Sequence, residues 1–100
     1  MNEAKKIRII ADHYGYDAQS RQCIEEMAEL TQAINKFWRA YCNGQRTEKS
    51  IAECRDNLVE EMADVQITLW EMEYLLLSAQ EVNQMITQKL NRQLERIKEE

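Results

Sequence analysis

The scarcity of residues that interrupt helices constrains this chain more than any other feature of its sequence. Its 100 residues include no proline and only two glycines. An all-β sandwich or barrel needs a turn signal about every ten residues, and these two residue types supply most of them. With 44% hydrophobic residues, the chain is also too apolar for a disordered segment. We therefore expect an all-α fold, a helical bundle in one domain that covers residues 1–100.

Charge, hydropathy and cysteine content argue against several classes of protein. The chain has 18 acidic and 13 basic residues and a formal net charge of −5, which disfavours binding to the phosphates of nucleic acids. No apolar run approaches the roughly 20 residues of a membrane span, and the first residues lack the apolar core of a signal peptide. Cys23, Cys42 and Cys54 form no CxxC pair. We expect buried, reduced thiols and a cytoplasmic location.

Apolar periodicity predicts about four helices, of which the first two lie before residue 43. The first covers roughly residues 2–12 and ends at the sequence HYGY, after which Asp17 is an N-cap candidate for the second helix. The second helix runs to about Cys42 and is expected to stop at Asn43-Gly44. Its apolar stripe consists of Met27, Leu30, Ile34, Phe37, Trp38 and Tyr41.

The third and fourth predicted helices occupy the rest of the chain. Thr47 can cap the third helix, which can break near residues 54–57. Its stripe consists of Leu58, Met62, Val65, Leu69, Met72 and Leu76. Ser78 and Glu81 have the spacing of a capping box that opens the fourth helix. The apolar face of that helix consists of Val82, Met85, Ile86, Leu90, Leu94 and Ile97.

Two matching heptapeptides carry the clearest chemical signal. Residues 24–30 read IEEMAEL and residues 59–65 read VEEMADV, so every position is identical or conservatively exchanged. Residues three apart are neighbours on a helix, so Glu26 and Glu29 form one carboxylate pair, and Glu61 and Asp64 form another. If the two helices pack through their stripes with approximate twofold symmetry, both pairs converge on one cleft.

The four carboxylates lack local compensation, which favours a metal site over a solvated face. None of them has a lysine or arginine three or four positions away, and an uncompensated cluster needs a cation or its pKa values rise. Oxygen ligands favour Mg²⁺, with Mn²⁺ as the alternative. A single EExxE motif in a Glu-rich helix is typical of a solvated face, whereas a matched pair is not. A di-iron site would need Glu-x-x-His motifs, and the one histidine, His13, lies outside both helices.

The paired motifs resemble the EExxE and EExxD motifs of the MazG-like, all-α nucleoside triphosphate pyrophosphohydrolases, in particular their short single-domain phage and bacterial members. The resemblance covers about residues 12–96 and includes the stretch His13-Tyr14-Gly15 before the second helix. It implies a Mg²⁺-dependent hydrolase that converts an NTP or dNTP to the monophosphate and pyrophosphate, in the housekeeping of nucleotide pools. It also implies a homodimer or homotetramer of helical bundles, with sites between helices and subunits.

The resemblance implies roles for individual residues by their motif positions. Glu26, Glu29, Glu61 and Asp64 would hold Mg²⁺. Glu25 or Glu60 would position or deprotonate the attacking water, and the motif leaves open which of the two does so.

Substrate contacts are less closely specified by the sequence. Lys89 and Arg92, one turn apart on the last helix, would neutralise phosphate charge, or they would form a solvated basic face. Trp38, with Phe37 and Trp70 as further candidates, would stack on the base. The alternative for each of these aromatic residues is the core or a dimer interface.

A function from another class is also compatible with the sequence. A non-catalytic helical interaction module, such as an adaptor or an antitoxin-like dimer, would bind a basic surface through its acidic stripes. It predicts no hydrolysis, and binding that weakens as salt is added. A nucleotide-binding regulator with a degenerate site is disfavoured, because no carboxylate of the paired motifs is missing.

Overall fold

The computed structural model describes residues 1–42 and 50–100, and its regular elements are helices throughout. Helix α1 spans Glu3–Phe37 and continues into a π-helical turn, Trp38–Cys42; α2 spans Ile51–Leu75, and α3 spans Ala79–Glu99. No strand occurs in these described ranges, which confirms the all-α class. The described part contains three α-helices rather than the expected four, because α1 runs through both of the first two predicted helices. No helix in that part combines the length and the apolarity needed to cross a membrane.

Gly15 divides α1 into two arms at the place where the sequence predicts an interruption. Its φ of 85° and ψ of 169° are not helical, and this region of φ/ψ space is essentially restricted to glycine. No atom lies within 4 Å of the position that a Cβ would take, so the backbone conformation alone requires glycine. Helical structure resumes at once, with Asp17 inside α1. The prediction of Asp17 as an N-cap is therefore wrong.

The starts of α1 and α2 are fixed by side-chain caps. The Asn2 side chain accepts a hydrogen bond from the Lys5 backbone N–H at 2.8 Å. Ser50 and Glu53 form a capping box, with the Ser50 hydroxyl accepting from the Glu53 N–H at 3.1 Å. The expected stop at Asn43-Gly44 and the expected cap at Thr47 lie outside the described residues. Helix α2 is continuous through residues 54–57, so no break occurs there.

The connection between α2 and α3 is a tight C-terminal cap with a strained leucine. Leu77 has a φ of 55°, and its N–H donates to the Tyr74 carbonyl, while the Ser78 N–H donates to the Glu73 carbonyl at 2.9 Å. This Schellman pattern normally has glycine at the left-handed position, where a leucine costs about 1–2 kcal/mol. Ser78 is the N-cap of α3, as expected, but its side chain makes no capping hydrogen bond. The predicted capping box is therefore absent.

Small side chains form the contact between α1 and α2. The buried apolar residues are Ala11, Cys23, Ala33, Ala40, Cys54 and Val65. Apart from Val65, they do not belong to the stripes predicted for the second, third and fourth helices, and Met27, Met62 and Leu69 remain exposed. The reason is geometric, since small residues let two helix backbones approach closely and leave the larger side chains beside the contact. Cys42 is exposed, contrary to the expectation of a buried thiol.

Two polar pairs join α1 to α2 beyond this contact. Gln19 Nε2 donates a hydrogen bond to Glu71 Oε2, and both side chains are buried. The Tyr74 hydroxyl lies 2.9 Å from each carboxylate oxygen of Asp12. The hydrogen bond to Asp12, with burial and the Asp12 charge, raises the pKa of Tyr74. Because a buried polar group is costly when it loses its partner, the Gln19–Glu71 pair helps to fix the register of the two helices.

Helix α3 extends away from the pair formed by α1 and α2. It contacts α2 but not α1, and none of its residues is buried. The radius of gyration is 17.0 Å, whereas a compact domain of 100 residues has about 13 Å. A single chain therefore leaves the predicted apolar face of the last helix uncovered.

We expect Gly15→Ala to destabilise the protein, because alanine cannot adopt this backbone conformation without strain of about 1–3 kcal/mol. The melting temperature, measured by circular dichroism, should fall by at least about 5 °C. An unchanged melting temperature would contradict the kink at Gly15, since alanine stabilises a regular helix at that position.

Candidate metal centre

The two glutamate-rich motifs converge between α1 and α2. Glu26, Glu29 and Glu61 each place one carboxylate oxygen within 4.8 Å of a carboxylate oxygen of the other two. Asp64 lies close enough that its charge raises the pKa of both Glu26 and Glu61. We refer to Glu26, Glu29, Glu61 and Asp64 as the carboxylate cluster. The packing of α1 on α2 thus brings together the residues that the sequence predicts as metal ligands.

The repulsions within the cluster have the symmetry that the repeat predicts. Among the carboxylates that raise the pKa of Glu26, Asp64 has the largest effect. Among those that raise the pKa of Glu61, Glu29 has the largest effect. The repeat matches Glu26 with Glu61 and Glu29 with Asp64, so exchanging the two helices converts one pair into the other. The sequence repeat thus relates the leading charge–charge repulsion at Glu26 to the one at Glu61.

Burial and repulsion from neighbouring carboxylates both favour protonation of Glu26 and Glu61. Burial is the largest cause of the raised pKa of Glu26, followed among the raising effects by the charges of Asp64 and Glu29. A hydrogen bond from Gln22 Nε2 to Glu26 Oε1, at 2.7 Å, opposes this shift. Burial also contributes most to the raised pKa of Glu61, followed by the charges of Glu29, Asp64 and Glu26. No cationic side chain forms an ion pair with the cluster within the described ranges.

Two oxygen atoms of the cluster have no partner. Oε2 of Glu26 and Oε2 of Glu61 are shielded from solvent and accept no hydrogen bond from any described residue. A buried carboxylate oxygen is unfavourable unless a proton, a donor or a cation satisfies it. An all-oxygen set of this kind matches the ligand preference of hard divalent cations such as Mg²⁺. The residues present therefore fit a divalent cation.

Sequence reasoning missed two polar residues that support the cluster. Gln22 stands four positions before Glu26, and this i,i+4 spacing on one helix was the available signal. Its amide holds one oxygen of Glu26 and leaves Oε2 for a ligand. The buried Thr68 hydroxyl donates to the backbone carbonyls of Asp64, at 3.2 Å, and Val65, at 2.9 Å. No sequence pattern indicated that Thr68 would be buried.

The remaining predicted site residues are not gathered at the cluster within one chain. Glu25 and Glu60 are exposed neighbours of the cluster residues. Lys89 and Arg92 lie on α3, which does not contact α1. Trp38 is 53% exposed in the π-helical turn.

The other two candidate aromatic residues, Phe37 and Trp70, have contacts that do not involve the cluster. Phe37 stacks on Tyr41 with ring centroids 5.4 Å apart. Trp70 lines a groove between α2 and the first arm of α1.

Comparison of the chain with protein-family models, with curated proteins and with solved structures finds no match. The geometry and electrostatics of the cluster, together with the paired motifs, are therefore the basis for a functional proposal.

The raised pKa values predict a specific pH dependence of the metal-free protein. Because folded Glu26 and Glu61 bind protons more tightly than an ordinary carboxylate of pKa 4.5, their contribution to the free energy of unfolding is greatest below that pH. It is lost as the pH rises through the raised pKa values. Glu61→Gln should flatten this dependence, and it should melt a few degrees above the wild type at pH 7 in chelator, measured by circular dichroism.

Glu99→Gln is the matched control, since Glu99 is an exposed residue at the end of α3. It should follow the wild-type pH profile. If Glu61→Gln and Glu99→Gln gave the same profile and the same melting temperature in chelator, Glu61 would not be under repulsion from the cluster.

Proposed function

We propose that this protein is a Mg²⁺-dependent hydrolase that converts a nucleoside triphosphate, NTP or dNTP, to the monophosphate and pyrophosphate. It acts as a homodimer or homotetramer in the cytoplasm, where it removes nucleotides from the cellular pool. The observation that carries this proposal is the convergence of two matched carboxylate motifs around Oε2 atoms that lack a partner. The resemblance of the paired motifs to those of MazG-like enzymes supports the choice of substrate.

The carboxylate cluster would supply the metal ligands. Glu26 and Glu29 from α1, with Glu61 and Asp64 from α2, would hold Mg²⁺, and Mn²⁺ is the substitute of similar chemistry. When bound, the cation neutralises the triphosphate and lowers the pKa of a water molecule. Gln22 keeps one oxygen of Glu26 engaged, so that the orientation of this carboxylate is set before the ligand arrives.

One of the two glutamates beside the cluster, Glu25 or Glu60, would act as the general base. Glu25 or Glu60, both exposed to solvent, would orient the attacking water and accept its proton, a role that the resemblance of the paired motifs implies. The water oxygen forms a bond to phosphorus as the anhydride between the α- and β-phosphates breaks. Pyrophosphate departs with the electron pair of the broken bond, and the monophosphate remains.

Charge and stacking would position the nucleotide. Lys89 and Arg92 would neutralise phosphate oxygens, and they would do so at the cluster of another protomer, because α3 does not reach α1 in its own chain. Trp38 would stack on the base, which gains roughly 1–3 kcal/mol without strong discrimination among bases.

The reaction can be tested with the eight common NTPs and dNTPs and Mg²⁺, with products separated by anion-exchange chromatography. At least one substrate should yield monophosphate and pyrophosphate in equal amounts. Diphosphate with orthophosphate would overturn the assigned reaction. An absence of turnover with both Mg²⁺ and Mn²⁺ would overturn the enzyme proposal in favour of a non-catalytic interaction module.

Substitution of one predicted ligand tests the role of the cluster. Glu29→Gln keeps the side-chain volume but removes a charge, and turnover should fall by about 100-fold or more, the scale of losing one electrostatic contact to developing charge. Glu99→Gln should retain wild-type turnover. Equal turnover of both variants would show that Glu29 holds no catalytic cation.

Mg²⁺ should also stabilise the folded protein without substrate, since a ligand that binds only the native state raises the free energy of unfolding. Millimolar Mg²⁺ should raise the wild-type melting temperature by several degrees, with a much smaller rise for Glu61→Gln. A wild-type melting temperature that does not respond to Mg²⁺ would contradict a preformed cation site.

A further inference from the structure

Helix α3 carries a wide apolar face with nothing packed on it. The face consists of Val82, Met85, Ile86, Leu90, Leu94 and Ile97, and no residue of α3 is buried. Leu90, Leu94 and Ile97 each expose more than half of their surface. A helix with one apolar and one polar face is stable when the apolar face is packed against another surface. We refer to these six residues as the α3 face.

A second uncovered apolar surface lies between α2 and the first arm of α1. It is a groove with a volume of about 530 Å³ whose apolar lining comprises Ile7, Ile10, Met62, Ala63, Ile67 and Trp70. Trp70 is 43% exposed at its wall. The rim is formed by Glu3, Lys6 and Gln66. An apolar floor with a polar rim is the usual composition of a protein interface, and we refer to this surface as the groove.

The area that the chain exposes is large enough for both surfaces to belong to an interface. The chain exposes 8047 Å², whereas a folded monomer of its mass, 11.9 kDa, exposes about 5,900 Å². The excess of about 2,100 Å² per chain exceeds the roughly 800 Å² per partner of a standard interface. It lies within the range of obligate homodimers, which bury about 1,000–2,500 Å² per partner.

The connection before α3 keeps the α3 face away from the groove of the same chain. The Leu77 and Ser78 N–H groups are both bonded back to α2 carbonyls, which fixes the direction in which α3 leaves. Leu77 itself is 86% exposed and has a positive φ. A large apolar residue kept in a strained and exposed position is consistent with a side chain that becomes covered on assembly.

We propose that the α3 face of one chain packs into the groove of a second copy of this chain, and that the exchange is reciprocal. The charge distribution favours this partner. Residues 1–78 carry the entire net charge of −5, because residues 79–100 contain four acidic and four basic residues. Lys89, Arg92 and Arg96 are spaced at three and four residues along one edge of the α3 face. None of the three forms an ion pair with a described residue, so they can meet the acidic surface of the partner.

This interface specifies how the homo-oligomer of the proposed function assembles, and it is tested separately from hydrolysis, by assembly and by the environment of Trp70. In Trp38→Phe, Trp70 is the only tryptophan, so its fluorescence reports on the groove. Light scattering of this protein at micromolar concentration should give at least twice 11.9 kDa, and acrylamide should quench Trp70 weakly.

Substitutions on α3 then test whether the α3 face, and not the opposite side of the helix, forms the interface. Leu90→Glu in the Trp38→Phe background should give a monomer, with a red-shifted emission and at least a twofold larger quenching constant for Trp70. The helical content by circular dichroism should fall by no more than the share of α3, because α1 and α2 pack on each other within one chain. Gln88→Glu introduces the same charge on the opposite side of α3, and it should leave both the mass and the quenching unchanged.

Three results would overturn the proposal. The first is a monomer in which Trp70 is already protected, which would mean that α3 folds onto its own groove. The second is an oligomer in which Leu90→Glu lowers the mass but leaves the quenching of Trp70 unchanged, which would mean that α3 pairs with another surface. The third is a wild-type monomer with an accessible Trp70.

Discussion

The close approach of α1 and α2 through small side chains is the constraint on which the rest of the structure depends. Ala33, Cys23 and Cys54 occupy little space, so the two helices come near enough for carboxylates from both to share one cluster. No basic side chain lies within a turn of the cluster residues in the sequence, so neither helix supplies a neighbouring cation. Burial, followed by repulsion among the uncompensated carboxylates, raises the pKa values of Glu26 and Glu61, and a divalent cation would relieve that repulsion.

The sequence was sufficient to predict the class of fold and the cluster, because both follow from local rules. Helices follow from the absence of proline, and carboxylates at i and i+3 must share a helix face. The repeat supplied the one long-range inference, that the two faces meet. What could not be predicted depends on which surfaces a single chain buries. Met27, Met62 and Leu69 have the spacing of core residues but lie beside a contact made by smaller residues. The buried Gln19–Glu71 pair has no local signature, since its partners are 52 residues apart.

The side chains buried within one chain therefore differ from the large apolar side chains that one chain leaves exposed. Within one chain, a narrow contact of small residues and the Gln19–Glu71 pair set the register of α1 and α2. The larger apolar residues, on the α3 face and in the groove, stay exposed in one chain, and we propose that a second copy covers them. Hydrophobic periodicity identifies side chains that are expected to be buried. It does not show whether residues of the same chain or of another chain bury them. Lys89 and Arg92 lie on α3, which does not contact α1 within its own chain. Another copy of the chain would bring these cations to the cluster.

The central claim, that the four carboxylates bind a divalent cation, is tested most directly by titrating Mn²⁺ into the protein and measuring free Mn²⁺ by electron paramagnetic resonance. At neutral pH the wild type should lower the free Mn²⁺ signal in proportion to protein, and added Mg²⁺ should restore the signal by competition. Acidification should also restore it, since the cation and protons compete for Glu26 and Glu61. Glu61→Gln should bind far less Mn²⁺ than Glu99→Gln. A free Mn²⁺ signal that is the same for the wild type and for both variants would contradict the cation site.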